Sequence, residues 1–521
     1  MPVPNATLAP AIAKERQYPR GTTMATAEER HVPRYHFVAP EGPCAPFDPN
    51  GALFRRGRYH LFYIFQDPRL PRRGHSWGHA SSPDLVNWRF HPPALKPGGD
   101  VPEEGIFSGC ALITREGVPA LVYYGINAGI CIAFAEDDDL DRWRRHPANP
   151  VIAEPKRGDP AFDVYRVFDP HAWLDGDVYH MILGGLVKPH NVHDTAYLFT
   201  SRDLENWDYQ RPFYSPNPNW TDANEDCACP DFFKLGPRQV LMCISHPRGT
   251  RYYLGRYHAG TFIPESHHRL TYPGGASFAP ESLLDGMGRR MFWAWAIAQR
   301  RPGTDQFATM TLPSVLTATD SGGLMIEPVR EVELLRRNGR ETAALTLDDD
   351  ERLFPALAGD CLELRLAILP RGARRAGLSV RAAPNRIEET RIVYDAAART
   401  LSIDSTRSSR DPAVFRAFPM ATRAEKRDHP VQTAPCPLDE DGMLRLNVFL
   451  DASIIEVYAN DRCKLTGRIY PTLAGSRQTR LFAEGGPAAF SPVHAWDMAA
   501  LVYSTGDPAE DEATSHADAV E

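Results

Sequence analysis

The sequence predicts an all-β protein, a five-bladed β-propeller followed by a C-terminal β-sandwich, and three observations carry that prediction. First, 47 prolines and 38 glycines cut the 521 residues into short segments, the punctuation of strands joined by turns. Second, the pattern Asp-Leu-x-x-Trp occurs three times, at Asp84-Leu85-Val86-Asn87-Trp88, Asp139-Leu140-Asp141-Arg142-Trp143 and Asp203-Leu204-Glu205-Asn206-Trp207, with the tryptophans 55 and 64 residues apart. A repeat of that length, mixing short strands with turn signals, is what a four-stranded propeller blade leaves in a sequence. Third, beyond about residue 335 the character changes to alternating strands such as Leu444-Arg445-Leu446-Asn447-Val448-Phe449-Leu450, which bury one face as the sheets of a sandwich do.

Taken in order, residues 1–30 are polar and aperiodic and are expected to form a disordered extension. Apolar runs at 59–65, 120–124 and 178–183 each precede a copy of the repeat and are expected to be blade strands. Two further blades are expected from 239–244 with 252–254, and from 290–295. Five blades then fill residues 31–335, the sandwich takes 336–505, and the acidic, small-residue-rich stretch 506–521 is expected to be a disordered tail.

A net charge of −8 without basic blocks argues against nucleic acid or an anionic membrane as the main partner and favours a neutral small molecule or polymer. No run of ~18 apolar residues occurs, and residues 1–30 lack the apolar core of a signal peptide. The nine cysteines are odd in number and form no two matched Cys-x-x-Cys pairs, which points to reduced thiols. Cytoplasmic residence is the expectation.

Three carboxylates stand out. Asp48 lies in Phe47-Asp48-Pro49-Asn50-Gly51, just ahead of the aromatic strand Tyr59-His60-Leu61-Phe62-Tyr63. A carboxylate locked before a Pro-Asn-Gly turn suits a fixed nucleophile, although the same residues also make an ordinary turn. Asp169 lies in Val167-Phe168-Asp169-Pro170-His171, and Glu225 in Asn224-Glu225-Asp226-Cys227-Ala228-Cys229-Pro230-Asp231. Each falls in a different expected blade, and the inner strands of a propeller converge on one axial pocket. Glycoside hydrolysis needs such a set, one carboxyl as acid/base and one as nucleophile or base.

In their shared order these motifs resemble glycoside hydrolase family 32, the invertase, inulinase and levanase family, over about residues 34–503. Phe47-Asp48-Pro49-Asn50-Gly51 is similar to the family's Asn-Asp-Pro-Asn-Gly. Trp77-Gly78-His79-Ala80, Phe107-Ser108-Gly109 and Cys229-Pro230-Asp231-Phe232-Phe233 follow, then Asp451-Ala452-Ser453-Ile454-Ile455-Glu456-Val457-Tyr458 and Phe482-Ala483-Glu484-Gly485-Gly486 in the second domain. The resemblance implies a retaining double displacement at a β-fructofuranosyl linkage, with Asp48 as nucleophile, Asp169 as transition-state stabiliser and Glu225 as acid/base. The Asp48 and Glu225 carboxyls are then expected ~5–5.5 Å apart. No metal or organic cofactor is implied. The sugar is expected to meet Asn50, Gln66, Trp77, Phe107, Ser108, Phe168 and Asp226.

The chain departs from the family pattern at three points. Phe168 stands where the family has the Arg of Arg-Asp-Pro, and Ala228 stands where it has the Glu of Glu-Cys-Pro-Asp. Ile64 replaces the Gln after Phe-Tyr, leaving Gln66 as a same-face substitute. The acid/base then falls to Glu225 or Asp226. Strict alternation puts Asp226 on the face of Ala228, whereas a bulge together with the reach of Glu favours Glu225, which is the preferred choice.

Further residues divide between site and scaffold. His171 is a stand-in for the missing Arg or a structural histidine, and Glu281 is a pocket-border acid or a surface one. Glu456 is assigned to the sandwich, and Trp88, Trp143 and Trp207 to packing at blade turns. The expected activity is an exo-acting hydrolase releasing a terminal fructosyl or related furanosyl unit from a small glycoside or oligosaccharide. The alternatives are a furanosidase or fructosyltransferase of non-fructan specificity, and a sugar-binding propeller with impaired catalysis.

Overall fold

The computed structural model describes residues 29–42, 44–67, 74–99, 101–298, 308–319, 323–417 and 427–505, and these are built almost wholly of β-strands. The extension of residues 1–30, apart from its last two residues, and the tail of 506–521 lie outside the described residues. Among the described residues no helix is long and apolar enough to cross a membrane.

Five antiparallel sheets, each with four consecutive strands, form the N-terminal part. Their first strands, Pro49–Arg55, Ile106–Ile113, Pro170–Asp175, Ala228–Leu235 and Ser277–Leu284, pack side by side in that order, and the fifth returns to the first. The sheets are therefore five blades around one axis, with these strands innermost. The second strands read as continuous apolar runs because each is covered on both faces by neighbouring blades. Pro119–Gly125 of blade 2 is buried along its whole length, as is most of Arg58–Gln66 of blade 1. Phe62, Trp77, Leu121 and Tyr123 pack together between blades 1 and 2, and Ile182, Leu241 and Tyr253 between blades 3 and 4.

The three Asp-Leu-x-x-Trp copies adopt one local structure. Leu85, Leu140 and Leu204 all sit at positive φ (64°, 60° and 67°). The indoles of Trp88, Trp143 and Trp207 donate to the Leu carbonyls three residues earlier, at 3.0, 2.9 and 3.1 Å. The Asp84 and Asp203 carboxylates accept backbone N–H groups of the same turn, a side-chain cap that forces the reversal before the outer strand.

The inner strands begin irregularly, and this aims side chains at the axis. Pairing with the second strand slips between Asn50 and Leu53, Ile106 and Gly109, Ala228 and Asp231, and Phe278 and Pro280. Three of the entering residues are non-glycines at positive φ: Asp169 (31°), Cys229 (43°) and Ala279 (47°). Such strain is held only where surrounding structure fixes it, and it clusters at functional sites.

A short 3-10 turn, Arg330–Leu335, leads to a sandwich of an eight-stranded and a six-stranded sheet. Leu364 and Val448 from the first sheet meet Leu378 and Leu481 from the second in its core. Glu456 lies in the strand Ile454–Ala459, bonded by Tyr458 and ion-paired with Lys464. The sandwich grips the propeller through Asp451, whose carboxylate accepts the backbone N–H groups of Arg34, Tyr35 and His36 and faces the His36 ring at 2.8 Å. The last strand, Val502–Ser504, returns to pair in parallel with the outer strand of blade 1.

Candidate active site

Asp48 immediately precedes the inner strand of blade 1, and its position is fixed from both ends. Its carbonyl accepts the Ile64 N–H (3.1 Å) and the Asn50 side-chain amide (2.8 Å), while the Asn50 oxygen accepts the Gly109 N–H of blade 2 (2.9 Å). Gly51 turns at φ 54°, a conformation that strains any side chain, and a β-carbon there would lie 3.1 Å from Phe62, 3.2 Å from Leu121 and 3.3 Å from Trp77, closer than ordinary packing. Asp48 is 6% exposed; Ser108 donates to Oδ2 at 2.7 Å, and Oδ1 has no hydrogen-bond partner among the described residues. Burial pushes its pKa up to about 6, with Asp169 adding to the rise and the Ser108 hydrogen bond opposing it.

Asp169 enters blade 3 in the same way. Its Oδ2 accepts the Cys229 N–H at 2.9 Å, and the Cys229 thiol lies 3.5 Å from Asp169 Oδ2, 3.5 Å from Ser108 Oγ and 3.8 Å from Asp48 Oδ2. One half-buried thiol thus joins the two carboxylates, which enter from blades 1 and 3. Burial also raises the pKa of Asp169. Phe168 lies beside them, with Arg166 stacked 4.5 Å over its ring and Tyr124 at its edge, 5.4 Å between centroids.

Blade 4 supplies the remaining charges. Glu225 is fully buried, with Arg251 at 2.6 Å and Arg269 at 2.7 Å on its carboxylate and the Asp222 N–H on Oε1. Burial alone would raise its pKa, but the two guanidiniums outweigh that and hold it below the usual range. The acid/base role expected of Glu225 does not fit these contacts, because an acid gripped by two arginines has no proton to give near neutral pH. Asp226 instead faces His246, which follows the strand Arg238–Ser245: Oδ1 accepts the His246 N–H at 3.0 Å, and Oδ2 meets Nδ1 at 2.7 Å. Here too burial pushes upward and is outweighed, so Asp226 is held low. His246 is raised, since Asp226, Asp169 and Asp48 together overcome its own burial.

Several expected sugar contacts are committed to protein. Trp77 is wholly buried, its indole donating to the Phe107 carbonyl at 3.0 Å, so it braces Phe107 and offers no open ring face. Asn50, 2% exposed, ties blade 1 to blade 2 as described. Gln66 reaches His75 at 3.4 Å, and His75 stacks edge-on to Phe107. His171 is turned to the Phe232 carbonyl at 3.0 Å, with Asp231 3.7 Å from its other nitrogen. Glu281 is neither at the surface nor free: it accepts the Ala52 N–H at 3.0 Å, and burial, reinforced by Asp231, raises its pKa well above the usual range. The sequence reading missed His246 and Arg166, and it gave Cys229 no role. A lone histidine after a strand carries no periodic signal, whereas Arg166, two residues from Phe168, was visible in the sequence.

Comparison with known proteins gives a consistent result. The family model described as "Glycosyl hydrolases family 32 N-terminal domain" matches residues 36–328, and that for the family's C-terminal part matches 331–497. A sucrose-6-phosphate hydrolase of Zymomonas mobilis subsp. mobilis is 30% identical over 486 residues, covering 87% of this chain and 89% of that protein. The levanase of Bacillus subtilis is 26% identical, over 88% of this chain and 69% of its own. In fold the chain is similar to fructan 1-exohydrolase IIa from Cichorium intybus, with a TM-score of 0.78, 24% identity, and coverage of 92% of this chain and 99% of that one.

Proposed function

Since the chain belongs to glycoside hydrolase family 32, we propose that it is a retaining hydrolase that removes terminal β-fructofuranosyl units from small glycosides or oligosaccharides. The observation that carries this reading is the pairing of Asp48 and Asp169 around Cys229, with Asp48 Oδ1 unengaged among the described residues while Oδ2 is fixed by Ser108. Oδ1 attacks the anomeric carbon, and the Ser108 hydroxyl fixes the carboxylate plane as the glycosyl ester forms. Asp169 accepts sugar hydroxyls, and its negative charge stabilises the oxocarbenium-like transition state. Phe168, with Arg166 stacked over its ring, stands at the sequence position of the Arg in the family's Arg-Asp-Pro. That substitution favours a second reading, in which the glycone is a furanose other than fructose. The nine free thiols suit a reducing compartment, and the cytoplasm is our proposed location.

The test is turnover of sucrose, inulin, levan and aryl furanosides by wild type and Asp48→Ala. The wild-type chain is expected to release fructose, and the variant to lose on the order of 10⁴-fold or more in kcat. Absence of turnover on every substrate, with sugar binding intact, overturns the enzyme reading. Turnover of arabinofuranosides alone moves the assignment to the second reading.

A further inference from the structure

Resting on the reading above, we infer that the proton donor and acceptor of this site is the His246 imidazole, held in place by Asp226, and not a carboxyl group. The position that carries the family's acid is Ala228, a fully buried methyl group. The two acids upstream of it are both spoken for: Glu225 by Arg251 and Arg269, Asp226 by the backbone and ring of His246. His246 remains, and its placement suits the task. Its side chain is 39% exposed, far more open than the carboxylates around it, so a substrate can reach it. The ring lies 6.2 Å from Phe168 and 6.2 Å from Phe278, at the rim formed by blades 3, 4 and 5. Nδ1 is turned to Asp226, which leaves Nε2 for the leaving group. Burial works against its charged form, but the anions of Asp226, Asp169 and Asp48 outweigh that, with the Arg166 guanidinium on the Phe168 ring the cation of the neighbourhood, and they hold it protonated to a higher pH than a free histidine.

The chemistry balances with this one group. Asp48 Oδ1 forms a bond to the anomeric carbon as the glycosidic C–O bond breaks, and the proton on Nε2 passes to the departing oxygen. Water then attacks the same carbon and gives a proton back to Nε2, and the bond to Asp48 breaks to release the sugar. Asp226 touches no reacting atom; it is a positioning residue that fixes the ring and its tautomer, as the buried Asp does in a Ser-His-Asp triad. The active form therefore has Asp48 ionised and His246 protonated. Activity rises as Asp48 loses its proton near pH 6 and falls once His246 loses its own above 6.5.

The experiment measures kcat/KM against pH for wild type, His246→Asn, Asp226→Asn and Asp48→Ala. Sucrose, a poor leaving group, is compared with an aryl β-fructofuranoside whose leaving group needs no proton. His246→Asn is expected to lose on the order of 10²–10⁴-fold on sucrose and to stay within about tenfold for the first, glycosylating step on the aryl donor. Azide should accelerate breakdown of the fructosyl-enzyme in this variant, since it attacks the anomeric carbon without a base. Asp226→Asn is expected to lower kcat/KM on sucrose and to move the basic limb of the remaining activity to lower pH, because the ring loses the anion that fixes its tautomer and favours its charged form. The inference is overturned if His246→Asn hydrolyses sucrose within about threefold of wild type. It is also overturned if Asp226→Asn alone behaves as the acid-less enzyme, or if the wild-type profile shows no basic limb, a readout that needs no variant to fold. Full sucrose activity in Asp48→Ala overturns the proposed function instead.

Discussion

Ser108 and Asp48 show how one hydroxyl sets the working range of a buried nucleophile. The hydroxyl donates to the carboxylate at 2.7 Å and so favours its charged form, against a burial that alone would keep it protonated. Removing it leaves only the upward pressures. Ser108→Ala is therefore expected to raise the acid limb of kcat/KM above its wild-type position near pH 6, with a loss at pH 5.5 that largely recovers by pH 8. An unmoved acid limb would show that a group other than Asp48 controls it. At this scale the sequence showed Asp48 and Asp169 clearly, because an Asp before Pro at the start of a strand is fixed by the backbone itself. It did not show the fate of Glu225, which is decided by Arg251 and Arg269, two residues 26 and 44 positions downstream that reach it only once blade 4 has folded. Trp77 misled for the opposite reason: an aromatic beside Gly-His looks the same whether it faces sugar or core.

The elements turn a charge cluster into a brace. Arg251 and Arg269 stand on the third and fourth strands of blade 4, Gly249–His258 and Thr261–Arg269, and they hold the loop carrying Glu225 against the inner strand. Arg251 also donates to the Asp226 carbonyl at 2.7 Å, so the same brace orients the residue that holds His246. Glu225→Gln removes the anion shared by Arg251 and Arg269, leaving the buried Arg251 with Asp194 at 3.4 Å, and a loss at the lower end of about 3–5 kcal/mol in unfolding free energy is expected by urea titration. The pH sign follows from the lowered pKa of Glu225: its contribution is present above the unfolded carboxylate value and lost as pH falls through the folded one. Per folded molecule the variant is expected to keep most of its hydrolytic rate. A loss on the order of 10²-fold or more with the fold intact would return Glu225 to the acid/base role. The blades themselves were legible, since the Asp-Leu-x-x-Trp turns and the doubly covered second strands write themselves into composition and spacing. The strand-entry bulges were not, because a one-residue slip in register alters no residue type.

In the whole molecule the sandwich and the propeller share a core. Tyr35 and Trp293 pack in one cluster with Phe449 and Tyr458, and Asp451 gathers three backbone N–H groups and the His36 ring from the segment that enters blade 1. With the last strand returning to the outer edge of blade 1, neither part is expected to unfold first. Asp451→Ala should lower stability by about 3–5 kcal/mol while keeping a single transition by fluorescence and circular dichroism. Two separated transitions in the wild type would contradict that coupling. The change of strand character near residue 335 was enough to anticipate a second β domain. It did not show that the chain closes back on its first blade, because three residues pairing in parallel leave no pattern of their own. All of these supports, from turn to interface, converge on the carboxylate at the entry of blade 1. The most direct test is mass spectrometry of peptides from enzyme quenched in acid during turnover of an aryl β-fructofuranoside. One fructosyl residue is expected on the peptide that carries Asp48; an adduct on another acid, or none while the product is first released as the inverted anomer, would contradict it.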